Sequence, residues 1–394
     1  MSETRNIVVL GASFGGLSAA HYLARHTLPK LQQSQSAKYV LHLVDPSTHF
    51  WWHISAPRAM VSVKEIKHSD SFVPIMDGFK QYSTLQDSIV FHHGEATGLD
   101  TNTRSVSIKT HEGASETLEY YALIIATGIR SPTPCTTLHG NYDISQRALE
   151  DMNGKLASAK DIVIGGGGPV GVETAGEVGD HFNGKANITL IAGSGKLLPV
   201  LNETRSKKAA ALLAKVGVKV VYNVKVQDTE QTSDGKTVVK LDNGETMSAD
   251  VYIPAAGVTP NTGFIPDNLK QSNGYVKANG ETMRVDDAGP RVYAVGDVAA
   301  VDKGGVLNLF SAIPVFGANI SHDLLADAKA GTITEKKYKA NNGETQLVPI
   351  GAKTGIGAYN GWSMPAFAVS KFKGKDYMLG NMPGITQGKQ YKKP

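Results

Sequence analysis

Two glycine-rich turns of one pattern constrain this chain more than any other feature in it. Residues 11–16 read Gly-Ala-Ser-Phe-Gly-Gly and residues 165–171 read Gly-Gly-Gly-Gly-Pro-Val-Gly, and the two patterns begin 155 residues apart, at Gly11 and Gly166. Each follows a short apolar run, at 7–10 and 161–164, of the kind that forms a buried parallel strand. Each opens a stretch with apolar residues at helical spacing, at 17–25 and 172–178, and a second apolar run closes each unit, at 39–44 and 187–191. A strand–turn–helix–strand unit that occurs twice at this distance is a duplicated nucleotide-binding fold, not a short-period repeat. The expected fold class is therefore α/β, with two Rossmann-like dinucleotide-binding domains and a small α+β C-terminal region.

The turns work by backbone geometry. The first glycine makes the tight turn, the second lets a pyrophosphate approach, and the third lets helix and strand pack closely. The phosphates then sit at a helix N-terminus, where free N–H groups and the dipole favour anions. Gly11, Ser13 and Gly16 fill these positions in the first turn. Ser13 departs from the ideal glycine, but it is small and its hydroxyl can donate a hydrogen bond. Asp45 ends the next strand, where a carboxylate would hold ribose hydroxyls. Its distance from the turn exceeds the usual ~20 residues, which a polar surface insertion at 29–37 accounts for. The second turn is complete, with Gly166, Gly168 and Gly171, and Glu173 lies just inside its helix. Its second strand ends in Ile-Ala-Gly-Ser-Gly-Lys at 191–196, with neither carboxylate nor arginine. Ser194 and Lys196 tolerate a 2′-phosphate, so the sequence leaves NADH and NADPH both open.

Between the units, residues 86–125 alternate like antiparallel strands at 88–92, 105–109 and 121–125. A matching stretch runs through 219–222, 237–241 and 251–254, with Asp-Asn-Gly-Glu at 242–245 as a hairpin turn between the last two. The chain then returns to the first unit at 255–330. From about residue 335 it becomes a distinct tail of short strands and glycine turns.

Composition narrows the chemistry. The single cysteine, Cys135, excludes a Cys-x-x-Cys relay and fits a reducing compartment, with Cys135 read as structural. A net charge of +4 is too weak for a nucleic-acid partner. The late lysines, Lys371, Lys373, Lys375, Lys389, Lys392 and Lys393, read as a solvated tail or as weak attraction to an anionic membrane surface. Ser2 follows the initiator Met, where N-myristoylation needs glycine. No apolar run reaches the ~18 residues of a spanning helix. The expected location is cytoplasmic, with at most peripheral membrane contact. The twelve histidines show no metal-ligand spacing, and no metal is assigned.

Three further segments carry a family resemblance. Residues 123–128 read Leu-Ile-Ile-Ala-Thr-Gly, residues 292–297 read Val-Tyr-Ala-Val-Gly-Asp, and residues 250–261 read Asp-Val-Tyr-Ile-Pro-Ala-Ala-Gly-Val-Thr-Pro-Asn. In this order with the two turns, they resemble the flavin and return motifs of the FAD/NAD(P)-binding pyridine nucleotide-disulfide oxidoreductase superfamily, with its glutathione-reductase-like fold. Residues 50–58 (Phe-Trp-Trp-His-Ile-Ser-Ala-Pro-Arg) and 351–357 (Gly-Ala-Lys-Thr-Gly-Ile-Gly) resemble the apoptosis-inducing-factor-like and ferroptosis-suppressor branch, related to type II NADH dehydrogenases. The resemblance implies an FAD-binding domain at 1–145 and 255–330, an NAD(P)H-binding domain at 146–254 and a C-terminal interface region at 331–394. It implies FAD contacts from Gly11, Ser13, Gly16, Asp45, Arg58, Thr127, Gly128 and Asp297. Gly166, Gly168, Gly171 and Glu173 would contact NADH or NADPH, with Glu173 near the nicotinamide. Pro314 and Phe316 would shape an acceptor pocket beside the flavin. The competing readings are a surface ion pair for Arg58, plain core for Phe316, and packing for Trp51 and Trp52.

The implied activity is hydride transfer from NAD(P)H to FAD and electron delivery to a quinone-like acceptor. Two alternatives stand beside it. One is a tailoring flavoenzyme acting on a small aromatic metabolite; the other is a slow-turnover NADH-sensing signalling protein.

Overall fold

The computed structural model describes residues 3–34 and 37–393; Ser2 and part of the 29–37 segment lie outside them. The first glycine turn belongs to a seven-stranded sheet. Its order is Val292–Ala294, Ala122–Ile125, Thr4–Leu10, Lys38–Asp45, Ile89–Asp100, Ser105–Thr110, Ser115–Glu119. The first five pair in parallel and the last two antiparallel. Residues 121–125 were expected to be antiparallel, but Ala122–Ile125 pairs in parallel on both sides, with Leu123 opposite Val8 and Val292. All four of its residues are buried, which is the signature of a strand covered on both faces. Ile89–Asp100 plays two parts. Its first half continues the parallel sheet (Leu41↔Ile89) and its second half turns back antiparallel (Gly94↔Thr110).

The second turn belongs to a four-stranded parallel sheet in the order Val218–Tyr222, Asn187–Ala192, Asp161–Gly165, Val251–Pro254. The expected antiparallel reading of 219–222 and 251–254 is thus corrected. Only Val226–Gln231, Thr237–Leu241 and Thr246–Ala249 form the antiparallel layer. The turn at 242–245 joins Thr237–Leu241 to Thr246–Ala249, not to 251–254. The tail supplies a third small sheet, Gln346–Ile350, Thr354–Tyr359 and Trp362–Met364, backed by a short helix at Ala366–Val369.

Two helices correct the sequence reading. The segment expected as a polar insertion is a helix, Leu28–Ser34, that continues the first-turn helix Phe14–Tyr22 through a π-type turn at Leu23–Thr27. Leu28 and Leu31 are buried and hold it to the core. Further on, Val306–Asp327 is a 22-residue helix whose best window has a mean hydropathy of 1.2, long and apolar enough to cross a membrane by those measures alone. That window is 67% buried, and the helix packs on Phe14–Tyr22. Gly317 makes this approach work, because a Cβ there would run into the ring of Tyr22.

The C-terminal end docks back on the first-turn helix through side chains. His21 stacks on Phe79 with ring centroids 4.2 Å apart, and its two ring nitrogens meet the Thr386 carbonyl at 2.9 Å and the Tyr82 hydroxyl at 3.0 Å. Burial pushes the His21 imidazole down from 6.5 to about 4, the Thr386 carbonyl opposes this, and nearby Arg25 adds to it. A group held neutral by folding contributes stability that is complete above its ordinary value and is lost as pH falls through the folded one. The wild type should therefore lose stability relative to His21→Gln as pH falls from 6.5 to about 4, at a differential slope of up to about 1.4 kcal/mol per pH unit. Thermal melts of both proteins across this range measure it, and parallel melting curves would refute the burial of a neutral His21. Asp45 shifts the opposite way, and its contribution cancels in the comparison.

Candidate functional site

The first turn is built by backbone contact. Gly11 has φ +92°, and a Cβ there would strike the Ala126 carbonyl. A Cβ on Gly16 would strike the carbonyl of Gly11, so only glycine lets the helix begin this close to the strand. Ser13 sits at the helix N-cap in an extended conformation, and its hydroxyl makes no capping bond. Asp45 does more than the ribose role expected of it. It accepts the N–H of Ala12 at 2.5 Å and of Ser47 at 2.8 Å, tying the turn to the end of the second strand. Burial pushes its carboxyl up to about 6, against the pull of those two donors.

The two flavin-type motifs meet beside this turn. Gly15 lies against Val295 and Gly296, and a Cβ on Gly15 would come within 3.3 Å of the Val295 carbonyl. Gly128 has a left-handed φ of +63° and open space where a Cβ would go. The hydroxyl of Thr127 donates to the Asn261 carbonyl at 2.7 Å, and the Asn261 amide returns a bond to the Thr127 carbonyl at 2.8 Å. The observed task of Thr127 is thus to join two chain segments. Asp297 accepts the Gly305 N–H at 2.8 Å. His53, not singled out by the sequence reading, lies with its ring 5.0 Å from that of Phe14 and within the influence of the Asp297 charge. Its imidazole is held below its ordinary value by burial, with Asp297 opposing.

The second turn repeats the construction. Gly166 has φ +144°, with the Ala255 carbonyl 2.5 Å from a Cβ position, and a Cβ on Gly171 would strike the Gly166 carbonyl. Gly168 differs: its φ is −78° and nothing lies within 4 Å of a Cβ. That open space at the N-terminus of the helix Pro169–Phe182 is the place for a phosphate.

One turn into that helix lies a buried ionic array. Glu173 (3% exposed) accepts from Lys373 Nζ at 2.5 Å, and the same ammonium donates to the Leu347 carbonyl at 3.2 Å. Burial raises the Glu173 carboxyl, Lys373 opposes this, and Glu177 adds to the rise. Four residues on, Glu177 holds Arg58 through both Nε (2.8 Å) and Nη2 (2.9 Å) and accepts the Tyr377 hydroxyl at 2.9 Å. Arg58 Nη1 reaches the Lys375 carbonyl at 2.9 Å.

These contacts correct several expectations. Arg58 is not a free flavin ligand; its guanidinium is buried, doubly bonded to Glu177 and within 3.3 Å of the Glu65 carboxylate. Lys373 is not part of a solvated tail. Phe316 is fully buried against Tyr293 and belongs to the core, while Pro314 is half-buried in the middle of the Val306–Asp327 helix. Trp51 and Trp52 pack: Trp51 stacks on Phe72, and Trp52 Nε1 donates to the Tyr377 carbonyl at 2.8 Å. Cys135 is buried, and its thiol donates to the Ala148 carbonyl. His322, Asp323 and Glu335 cluster within 4.8 Å, but the Arg284 guanidinium already holds both carboxylates. Glu177 and Tyr377 were not singled out by the sequence, and Lys373 was grouped there with the other late lysines. Two acids four residues apart, set among Val172, Ala175, Gly176 and Val178, were the local sign that cations must approach this helix.

The pyridine nucleotide-disulphide oxidoreductase family model matches residues 5–315. The chain belongs to this family. It is 36% identical over 415 aligned positions to oxidoreductase phnG of Penicillium herquei, covering 100% of this chain and 98% of that one. It is 26% identical to ferroptosis suppressor protein 1 of Xenopus tropicalis, covering 96% and 95% of the two chains. Among solved structures it superposes on the sulfide:quinone oxidoreductase of Aquifex aeolicus with a TM-score of 0.72, at 15% identity and 98% and 92% coverage. FAD and a nicotinamide nucleotide are the cofactors of an oxidoreductase of this kind. The glycine cradles, the free Ser13 hydroxyl and the open Gly128 and Gly168 positions fit them.

Gly168 and Gly171 separate binding from folding. Gly168→Asp should fold and keep its flavin but bind NAD(P)H on the order of 100-fold more weakly, as expected for an unpaired charge set against an anion. Gly171→Ala should instead destabilise the protein, because its Cβ meets a carbonyl. Nucleotide titration monitored by flavin absorbance, alongside thermal melts, checks both; undiminished nucleotide affinity in Gly168→Asp would exclude the site.

Proposed function

We propose that this flavoprotein is an NAD(P)H:quinone-type oxidoreductase. The observation that carries the reading is the buried Glu173–Lys373 pair at the second-turn helix, in a chain with one cysteine, and that one sequestered. Without a dithiol pair to relay electrons, the acceptor has to approach the flavin directly. The fold likeness to a sulfide:quinone oxidoreductase supports a quinone as that acceptor. We assign residues 1–145 and 255–330 to the flavin domain, 146–254 to the nicotinamide-nucleotide domain and 331–394 to an interface region.

When bound, the flavin supplies the two-electron chemistry. The protein's part is to bind, orient and move protons. Ser13 and the N–H groups of the first-turn helix hold one pyrophosphate, with Asp297 and the Gly128 segment along the same cofactor. The Gly166–Gly171 turn holds the other pyrophosphate, with Gly168 leaving it room. Glu173 orients the nicotinamide end, and its burial beside Lys373 keeps that end free of bulk water. This reading assigns Lys373 Nζ, partly buried and bonded to Glu173, as the proton donor for a reduced acceptor. Beyond the second strand, Gly193 is overlain by the aliphatic stem of Lys225, and the strand end at 191–196 itself carries no carboxylate to reject a 2′-phosphate. We therefore expect both nucleotides to be accepted.

The test is anaerobic reduction of the yellow protein by NADH and by NADPH, followed by a panel of soluble quinones. Rapid bleaching with either nucleotide and rapid reoxidation by quinone support the reading; bleaching followed by a long-lived reduced state that quinones leave untouched overturns it. Lys373→Met should slow reoxidation by quinone at least about 10-fold while flavin bleaching persists. The double variant Glu173→Gln/Lys373→Met should regain the stability lost in the single one without regaining the rate. Asp297→Ala should purify with reduced flavin content, measured as the ratio of visible to ultraviolet absorbance.

A further inference from the structure

Among the described residues, every exposed large aromatic side chain falls in one stretch of fourteen: Tyr359 (56% exposed), Trp362 (81%), Phe367 (73%) and Phe372 (59%). Topology gathers them on one layer. Tyr359 and Trp362 pair directly across the last hairpin, so both stand on the same face of its sheet. Gly355 and Gly357, which share that face of their strand, meet Val369 of the helix Ala366–Val369. The aromatic pair therefore stands on the side covered further along by this helix. The helix and the turn after it contribute Phe367 and Phe372, whose rings the fold leaves uncovered.

Charge singles out the same stretch. Between Glu344 and Asp376 there is no acidic residue, while Lys353, Lys371, Lys373 and Lys375 fall within it. Lys373 is drawn inward to Glu173, and the other three are exposed. Exposed Trp, Tyr and Phe rings in a stretch whose own exposed charges are all lysines combine the two attractions a bilayer interface offers: a wet, partly apolar layer for aromatic rings and a negative surface for ammonium groups.

We propose that this face docks the protein onto the surface of an anionic phospholipid bilayer. A second copy of the chain fits less well, because a two-fold contact sets the same patch against itself and brings Lys353, Lys371 and Lys375 toward their own like. The position of the face has a functional consequence. Phe372 adjoins Lys373, whose ammonium closes on Glu173, so a lipid-dissolved acceptor leaving the bilayer would enter beside the candidate redox site. That consequence rests on the quinone reading; the docking rests on the surface alone.

Sedimentation of the FAD-loaded protein with phosphatidylcholine–phosphatidylserine vesicles and with pure phosphatidylcholine vesicles tests the proposal. Binding should be at least about tenfold stronger to the anionic vesicles and should weaken as salt rises. The intrinsic fluorescence gives an independent readout. Of the three tryptophans, Trp51 and Trp52 are fully buried, so a blue shift on adding vesicles reports Trp362. Trp362→Ser/Phe367→Ser should abolish sedimentation, and Lys353→Glu/Lys371→Glu should abolish the preference for phosphatidylserine. Both variants should keep the wild-type rate with a water-soluble quinone. A wild type that stays in the supernatant, or binds both vesicles equally without a shift in tryptophan emission, overturns the proposal. So does a dimer in sedimentation velocity that Trp362→Ser dissolves, since the face then belongs to a second copy. Failure with soluble quinones while vesicle binding holds would sink the quinone reading and leave the docking intact.

Discussion

The buried ionic array on the second-turn helix holds together parts of the chain that nothing else would bring into register. Arg58, Glu173, Glu177, Lys373 and Tyr377 come from three distant segments, and they meet along about one turn of the helix Pro169–Phe182. Desolvating these charges is expensive, and the pairs offset that cost only because their geometry is good: two bonds from Arg58 to Glu177, a phenol on the same carboxylate, and an ammonium on the next. Removing Lys373 leaves the buried Glu173 carboxylate without its cation, at a cost of about 3–5 kcal/mol. The array therefore specifies a location: the C-terminal segment has one place to dock, and that place puts an ammonium beside the helix that opens the nucleotide turn.

The glycine turns impose a second, purely steric constraint. In both, the third glycine packs on the carbonyl of the first, and the first packs on a carbonyl of the neighbouring strand, Ala126 in one case and Ala255 in the other. The same backbone contact is thus made twice, on two separate parallel sheets. The turns differ where ligands differ. In the first, Asp45 reaches back to hold Ala12. In the second, the corresponding strand end carries Gly193 and Ser194, with the stem of Lys225 folded over it. One strand end is thus braced by a carboxylate, and the other is covered by a lysine stem.

The C-terminal segment ties these features to the surroundings of the molecule. Its inward side supplies Lys373 and Tyr377 to the array, while its outward side carries uncovered aromatic rings and lysines. Burial and exposure alternate over a few residues here because the segment is a thin layer laid over the second-turn helix. A residue in it either meets that helix or meets whatever lies outside.

Much of the fold was legible in the sequence, because its strongest signals are local. Glycine at 11, 16, 166 and 171 is demanded by contacts within six residues or with the adjacent strand, and apolar runs bracket each turn. These features determined two parallel nucleotide-binding units, and the single cysteine determined that no dithiol relay exists. Strand direction was less legible. The runs at 121–125, 219–222 and 251–254 look alike whether the partner runs parallel or antiparallel, and only the crossovers decide. The candidate site was half legible. Its backbone cradles followed from spacing, but Arg58 was expected at the flavin and Phe316 at the acceptor, and tertiary packing sent one to Glu177 and the other into the core. Lys373 was indistinguishable from five other late lysines until the chain folded it onto Glu173. Sequence by itself determines what is enforced between neighbours along the chain. Which of many equivalent charges loses its water, and against what partner, is decided only when segments about 200 residues apart close on one another.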